Sequence, residues 1–449
     1  MSDLDRSIPP KAGEWRPFDF PSFERRRLRN GLDVVCAPTK RFPLLSLDLL
    51  LPAGGYHAGP GEAGLPSLHG DLLDEGTHKK TAIEIANEVE RIGGYLGSGS
   101  DWNVASVGVN LLSQQVDTGL ALIADIARNP AFPDDEVERL RRQRLTEILR
   151  RRSQPGSLAQ MTFARTVFQG TTFEAPLIGT EDSLEQLNRD DCVAFYKRRM
   201  GPAGAVMIAV GDFDPDALVP KIDAAFGDWE KQLDTSEPTI SPEPLTSVEV
   251  HVVDRPNAAQ TQLQLGHLGI SRNSPDHPRV LLMNAIFGGI FTSRINLNLR
   301  ERHGFTYGAT SQLVYRRGPG VLAMRAAVAT ESAGTAVQEV LHEMRRMREE
   351  PVSEDELRDC QDFLVGVFPT TLQTIGDIAR RLEDLVVYDL GEKYYESYPD
   401  VLRHVSQDDI QDAAQRYLHP DRLAIVAVGP ADDLLPQLAE LGEVRVHTP

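Results

Sequence analysis

The chain has 449 residues, 41% hydrophobic and 25% charged, the composition of a globular protein with length for two to four domains. Its 47 Lys and Arg against 66 Asp and Glu leave a net charge of −19, which argues against nucleic acid and anionic membranes as partners. No run of about 18 apolar residues marks a membrane span, and residues 1–10 lack the apolar segment of a secretory signal, so a cytoplasmic location is expected.

Residues 1–24 form an N-terminal extension, after which residues 32–35 and 45–51 read as strands. The second is almost continuously apolar. A helix over 65–74 places Leu65, Leu68, Leu72 and Leu73 within an arc of about 140°, with His69 among them. That makes His69 a packed histidine and leaves Ser67, Gly70 and Asp71 together on the opposite side. A helix over 81–92 stops at Gly93-Gly94, a left-handed terminator. A strand over 104–112 follows, then helices over 116–128, 134–152, 158–168 and 184–199, and a strand over 205–210 closes the unit. Residues 234–244, rich in Pro, Ser, Thr and Glu, suit an exposed linker. It separates an N-terminal lobe (25–232) from a C-terminal lobe (248–449), with 233–247 between them. In the second half a helix carrying Arg300 ends at Gly304, and a strand spans 307–315. Cys36, Cys192 and Cys360 are far apart and read as small buried hydrophobes, not disulfide halves or metal ligands.

The two halves repeat one another. Asp190 and Asp408 open matching helices, Gly211 and Gly429 close matching strands, and Pro133 and Pro351 precede matching acidic helix starts. The separation along the chain is identical for all three pairs. Three anchors at one offset mark a duplicated unit of about 200 residues, longer than any solenoid repeat. Strands alternate with helices without a dinucleotide glycine fingerprint. The expected fold is therefore α+β: two tandem homologous lobes of helix-layered, antiparallel-rich sheet, arranged as a clamshell with a cavity between them.

The segment Leu65-Pro66-Ser67-Leu68-His69-Gly70-Asp71, shortly before Gly76-Thr77, resembles the zinc-site helix of the insulinase-like (pitrilysin, M16) metallopeptidases. That family has His-x-x-Glu-His where this chain has Ser67, Gly70 and Asp71. A zinc hydrolase needs imidazole and carboxylate ligands and a general base, which these residues do not supply. The resemblance places Glu147, on a later helix, at the family's last ligand. It implies two carboxylates, Asp71 and Glu147, facing each other as a vestige of the site, with no metal in this chain. Gly97-Ser98 stand where the family commonly has Asn-Ala.

A second segment, Phe287 to Gly308, is similar to the family's other functional element, with Arg300 and Tyr307 at its seven-residue spacing. The resemblance implies that Arg300 grips substrate carbonyls and Tyr307 stabilises the oxyanion of peptide hydrolysis. Such a pair acts only opposite a zinc site, so a partner is implied. The expected function is the zinc-free subunit of a heterodimeric peptidase of the bacterial two-chain type, inactive alone, acting on oligopeptides or unfolded segments. Zinc is expected in the homologous partner. Two alternatives stay open: a metal-free scaffolding relative, like the core subunits of the respiratory bc complex, and a non-catalytic peptide-binding homodimer.

Overall fold

A computed structural model describes residues 18–230 and 236–448. In the first lobe, strands β1 (Glu24–Arg27), β2 (Asp33–Pro38), β3 (Leu44–Leu51), β4 (Tyr95–Ser100), β5 (Ala105–Leu112) and β6 (Val206–Gly211) form one sheet in the order β1-β2-β6-β3-β5-β4. Its helices are α1 (Leu65–Asp71), α2 (Ala82–Arg91), α3 (Val116–Arg128), α4 (Asp134–Ser153), α5 (Pro155–Val167), α6 (Glu181–Gln186), α7 (Arg189–Arg199) and α8 (Pro215–Phe226). The second lobe repeats the plan with β7 (Glu249–Asp254), β8 (Thr261–Leu268), β9 (Ala309–Arg316), β10 (Gly318–Val328), β11 (Ala424–Gly429) and β12 (Val444–His447), in the order β12-β7-β11-β8-β10-β9. Its helices are α9 (His277–Asn284), α10 (Arg294–Asn296), α11 (Ala333–Glu349), α12 (Glu354–Val367), α13 (Ile375–Val387), α14 (Tyr394–Arg403), α15 (Gln407–Tyr417) and α16 (Ala431–Leu438). From β2 and β7 onward the two sheet orders correspond strand for strand, and β6 and β11 stand at the offset shared by the sequence anchors. The lobes differ at one edge: β1 enters from the N-terminal side antiparallel to β2, whereas β12 arrives last and runs parallel to β7.

All six residues of β6 and of β11 are buried. A sheet covered on one face only would alternate; these do not because both faces are covered. One face of each sheet packs on its own lobe's helices. The other face takes a helix from the opposite lobe. Leu158, Ala159 and Phe163 of α5 pack on Val426 and Val428 of the second sheet, while Ile378, Leu382 and Leu385 of α13 pack on Ile208 and Val210 of the first. The lobes thus exchange helices, and neither sheet is complete without the other half.

Local chemistry explains where elements differ from the sequence reading. The expected helix 184–199 is two helices, because Asn188 caps α7 reciprocally with Asp191. Gly93 takes φ +64° after α2, as its position implied. The run His277–Arg302 is the one described segment apolar and long enough to cross a membrane, yet 61% of its apolar window is buried within the protein. It also breaks at Ile290–Ser293, between two π-helical turns, Ala285–Gly289 and Leu297–Arg302.

Candidate functional site

Gly64, at φ +88°, turns the chain into α1, and Pro66 fits the first turn, where no N–H is needed. Leu65, Leu68 and Leu72 enter the core. His69 is fully buried, its ring 5.3, 5.1 and 6.2 Å from the rings of Phe132, Phe195 and Tyr196. It is a packed histidine.

Ser67, Gly70 and Asp71 lie on the other side, where Ser67 is buried and Asp71 is partly exposed. The backbone of β4 presses on Gly70: a Cβ there would stand 2.6 Å from the Gly99 carbonyl carbon and 2.7 Å from the Ser100 nitrogen. Ser98 Oγ donates to the Gly70 carbonyl at 2.8 Å. From α4, whose inward stripe is Val137, Leu140, Arg144 and Ile148, the Arg144 guanidinium reaches across. Its Nη2 donates to Ser67 Oγ at 3.0 Å and to Asp71 Oδ2 at 2.5 Å. Arg144 is only 6% exposed. Burial pulls its basicity down, and Asp71 pulls it back up.

The expected pair of facing carboxylates is therefore corrected. Asp71 faces a guanidinium, and Glu147 lies one residue off the inward stripe, bonded by Arg150 at 2.6 and 2.7 Å and by Arg151 at 2.8 Å. Those two cations hold the Glu147 carboxyl down to about 2. Zinc takes imidazole, thiolate or carboxylate donors at about 2.0–2.3 Å. Here the set is one hydroxyl, one carboxylate already paired with a fixed cation, and no side chain at position 70. These residues do not fit zinc. Among the described residues no three His, Cys, Asp or Glu converge to hold a metal ion.

In the second lobe, α10 is anchored by a bidentate pair between Arg294 and Glu356 at 2.7 and 2.8 Å. Leu299 is buried, and Asn298 Nδ2 donates to Glu339 at 2.9 Å and Glu343 at 2.8 Å. Arg300 therefore projects from a rigid turn. Gly304 ends that turn at φ +67°, its N–H donating to the Arg300 carbonyl at 3.1 Å. Thr306 Oγ1 caps the next turn through the Gly308 N–H, so β9 begins at Ala309, and Tyr307, expected to open the strand, stands in the loop two residues before it. Tyr307 is 94% exposed. The Arg300 guanidinium carbon lies 4.5 Å from the centre of the Phe291 ring, and its nearest carboxylate is Glu301, 3.6 Å from Nε.

No hydrogen bond or ion pair joins the Arg300–Tyr307 turn to the α1 positions among the described residues. A cavity of about 870 Å³ is lined by Gly59, Pro60, Gly61, Ala63 and residues of α5, β7 and β12, and none of these site residues reaches it. Sequence reasoning missed Arg144, although the spacing of Val137, Leu140 and Ile148 would have placed it facing inward.

Residues 37–181 match the family described as Insulinase (Peptidase family M16), and residues 186–364 match Peptidase M16 inactive domain. The chain belongs to the M16 peptidase family. Curated relatives of this M16 chain include an uncharacterized zinc protease of Rickettsia bellii, 26% identical over 74% of this chain and 80% of the relative. Another, from Rickettsia felis, is 23% identical over 92% and 98%. Among solved structures, a peptidase M16 inactive domain from Pseudomonas fluorescens superposes with a TM-score of 0.84 at 24% identity, over 91% of this chain and 98% of that one. A protease from Helicobacter pylori gives 0.85 at 18% identity, over 91% and 100%. The duplicated α+β clamshell is thus the M16 fold.

Proposed function

We propose that this M16 chain is the zinc-free subunit of a two-chain peptidase, supplying Arg300 and Tyr307 to a zinc site carried by a homologous partner. The observation that carries this reading is the contrast between the two lobes. The first lobe's ligand positions are filled by Arg144 and the β4 backbone, whereas the second lobe presents Tyr307 almost fully exposed beside an Arg300 that no carboxylate grips closely. Tyr307 Oη–H stabilises the tetrahedral oxyanion formed at the partner's metal, and Arg300 donates to substrate carbonyl oxygens. The substrate is an oligopeptide or unfolded segment, bound by its backbone.

The test is co-expression with an M16 chain bearing His-x-x-Glu-His, followed by cleavage of a quenched fluorescent peptide. Neither chain alone hydrolyses it, and the pair does. Tyr307→Phe lowers turnover by about two to three powers of ten, the usual effect of losing one oxyanion donor. Assembly, read by gel filtration, is unchanged. Stoichiometric zinc and hydrolysis by the purified single chain, or full turnover in Tyr307→Phe, refute the reading.

A further inference from the structure

Phe291 sits in the break between the two π-helical turns and is 68% exposed. A lone surface aromatic is unremarkable. This one is fixed at both ends. Its ring carries the Arg300 guanidinium at 4.5 Å. Its carbonyl accepts from Asn296 Nδ2 at 2.5 Å, while Asn296 Oδ1 accepts from the Ala309 N–H at 3.2 Å. Asn296 is only 4% exposed, so one buried amide ties the Phe291 loop to the first residue of β9, two residues after Tyr307. The backbones that carry the phenyl ring and the phenol are therefore held in register.

The way Arg300 is held matters for what it can bind. A bidentate carboxylate would consume its in-plane N–H donors, as Glu356 does for Arg294. A ring face attracts the cation through its quadrupole and takes none of those donors. Arg300 Nη1 is buried and has no hydrogen-bond partner among the described residues, while the side chain as a whole is 33% exposed. Beyond it, β9 is the last strand of its sheet, with one edge unpaired. A guanidinium held by its face suits a peptide carbonyl, and the rest of the Phe291 ring is an apolar surface next to it.

We propose that Phe291 positions Arg300 and determines specificity, its exposed ring taking an aliphatic or aromatic side chain of the peptide whose carbonyl Arg300 holds. This rests on the peptide-binding role given to Arg300 and Tyr307 above. The net charge of −19 disfavours the competing occupant, an acidic side chain paired directly with Arg300.

The experiment uses the full chain and fluorescein-labelled decapeptides of Gly, Ser and Thr with one central Phe, Leu or Asp, read by polarisation. The Phe and Leu peptides bind at least fivefold more tightly than the Asp peptide. Phe291→Ala erases that preference, Phe291→Tyr keeps it, and Arg300→Ala weakens all three peptides together. The thermal midpoint of Phe291→Ala matches the wild type, since the ring is largely in solvent. Tightest binding of the Asp peptide, or a preference that survives Phe291→Ala while Arg300→Ala abolishes binding, overturns this inference and leaves the functional reading standing. Absence of binding by the wild-type chain, with full turnover of the two-chain complex in Arg300→Ala and Tyr307→Phe, overturns both.

Discussion

Glu383 offers a test of the helix exchange through pH. It lies on α13, the second-lobe helix that covers the first sheet. Burial, followed by the nearby carboxylates Asp101, Asp384 and Asp48, pushes its carboxyl up to about 7, against a weak opposing pull from Arg380. In the unfolded chain the group returns to about 4.3. Between these values the folded protein holds a proton that the unfolded protein has released, so stability is full below about 4.3 and is lost as pH rises through about 7. At about 1.4 kcal/mol per pH unit, the lost stability approaches about 4 kcal/mol at pH 8. Gln cannot ionise, so Glu383→Gln removes this loss. Urea unfolding followed by tryptophan fluorescence should show the variant gaining about 2–3 kcal/mol more at pH 8 than at pH 5. Comparing variant with wild type cancels titrations at groups remote from Glu383. An equal difference at the two pH values would refute the claim that burial and nearby carboxylates raise the Glu383 carboxyl on α13.

Asp71→Asn leaves Arg144 buried without a carboxylate and should cost about 2 kcal/mol, below the usual range for a buried pair because Asp71 is 45% exposed on its side chain. Ser67→Ala, which loses one neutral hydrogen bond, should cost about 1 kcal/mol, and chemical denaturation ranks the two. Grafting Ser67→His, Gly70→Glu and Asp71→His should give no stoichiometric zinc by elemental analysis, even with Arg144→Ala added, because a side chain at position 70 collides with the β4 backbone. Gly304→Ala meets no atom within 4 Å but must keep φ +67°, so it should cost about 1–2 kcal/mol, with Gly304→Asn costing less.

Much of the scaffold can be read in the chain before it is folded. The apolar run of β3, the alternation along β5 and the glycine after α2 each report a local rule, and the repeat offset aligns β6 with β11. The helix exchange cannot be read in this way. Amphipathic α5 and α13 state that they bury a face, but only the path of the chain decides which sheet receives it. The same limit applies to the α1 site. The family resemblance singled out Glu147, whereas helical phase put Arg144 and Ile148 inward, and three-dimensional packing then joined Arg144 to Asp71. Arg300 and Tyr307 were locatable through the family resemblance and its seven-residue spacing, while the ring of Phe291 beneath the guanidinium comes from a loop that has no periodic pattern.

The reciprocal loan of α5 and α13 has a practical consequence for anyone dividing this gene. A fragment ending near residue 230 carries off the helix that shields Val426 and Val428, and leaves its own Ile208 and Val210 without α13. Each piece made alone would expose an oily sheet to water and clump, whereas the two pieces made together could shield one another and regain solubility.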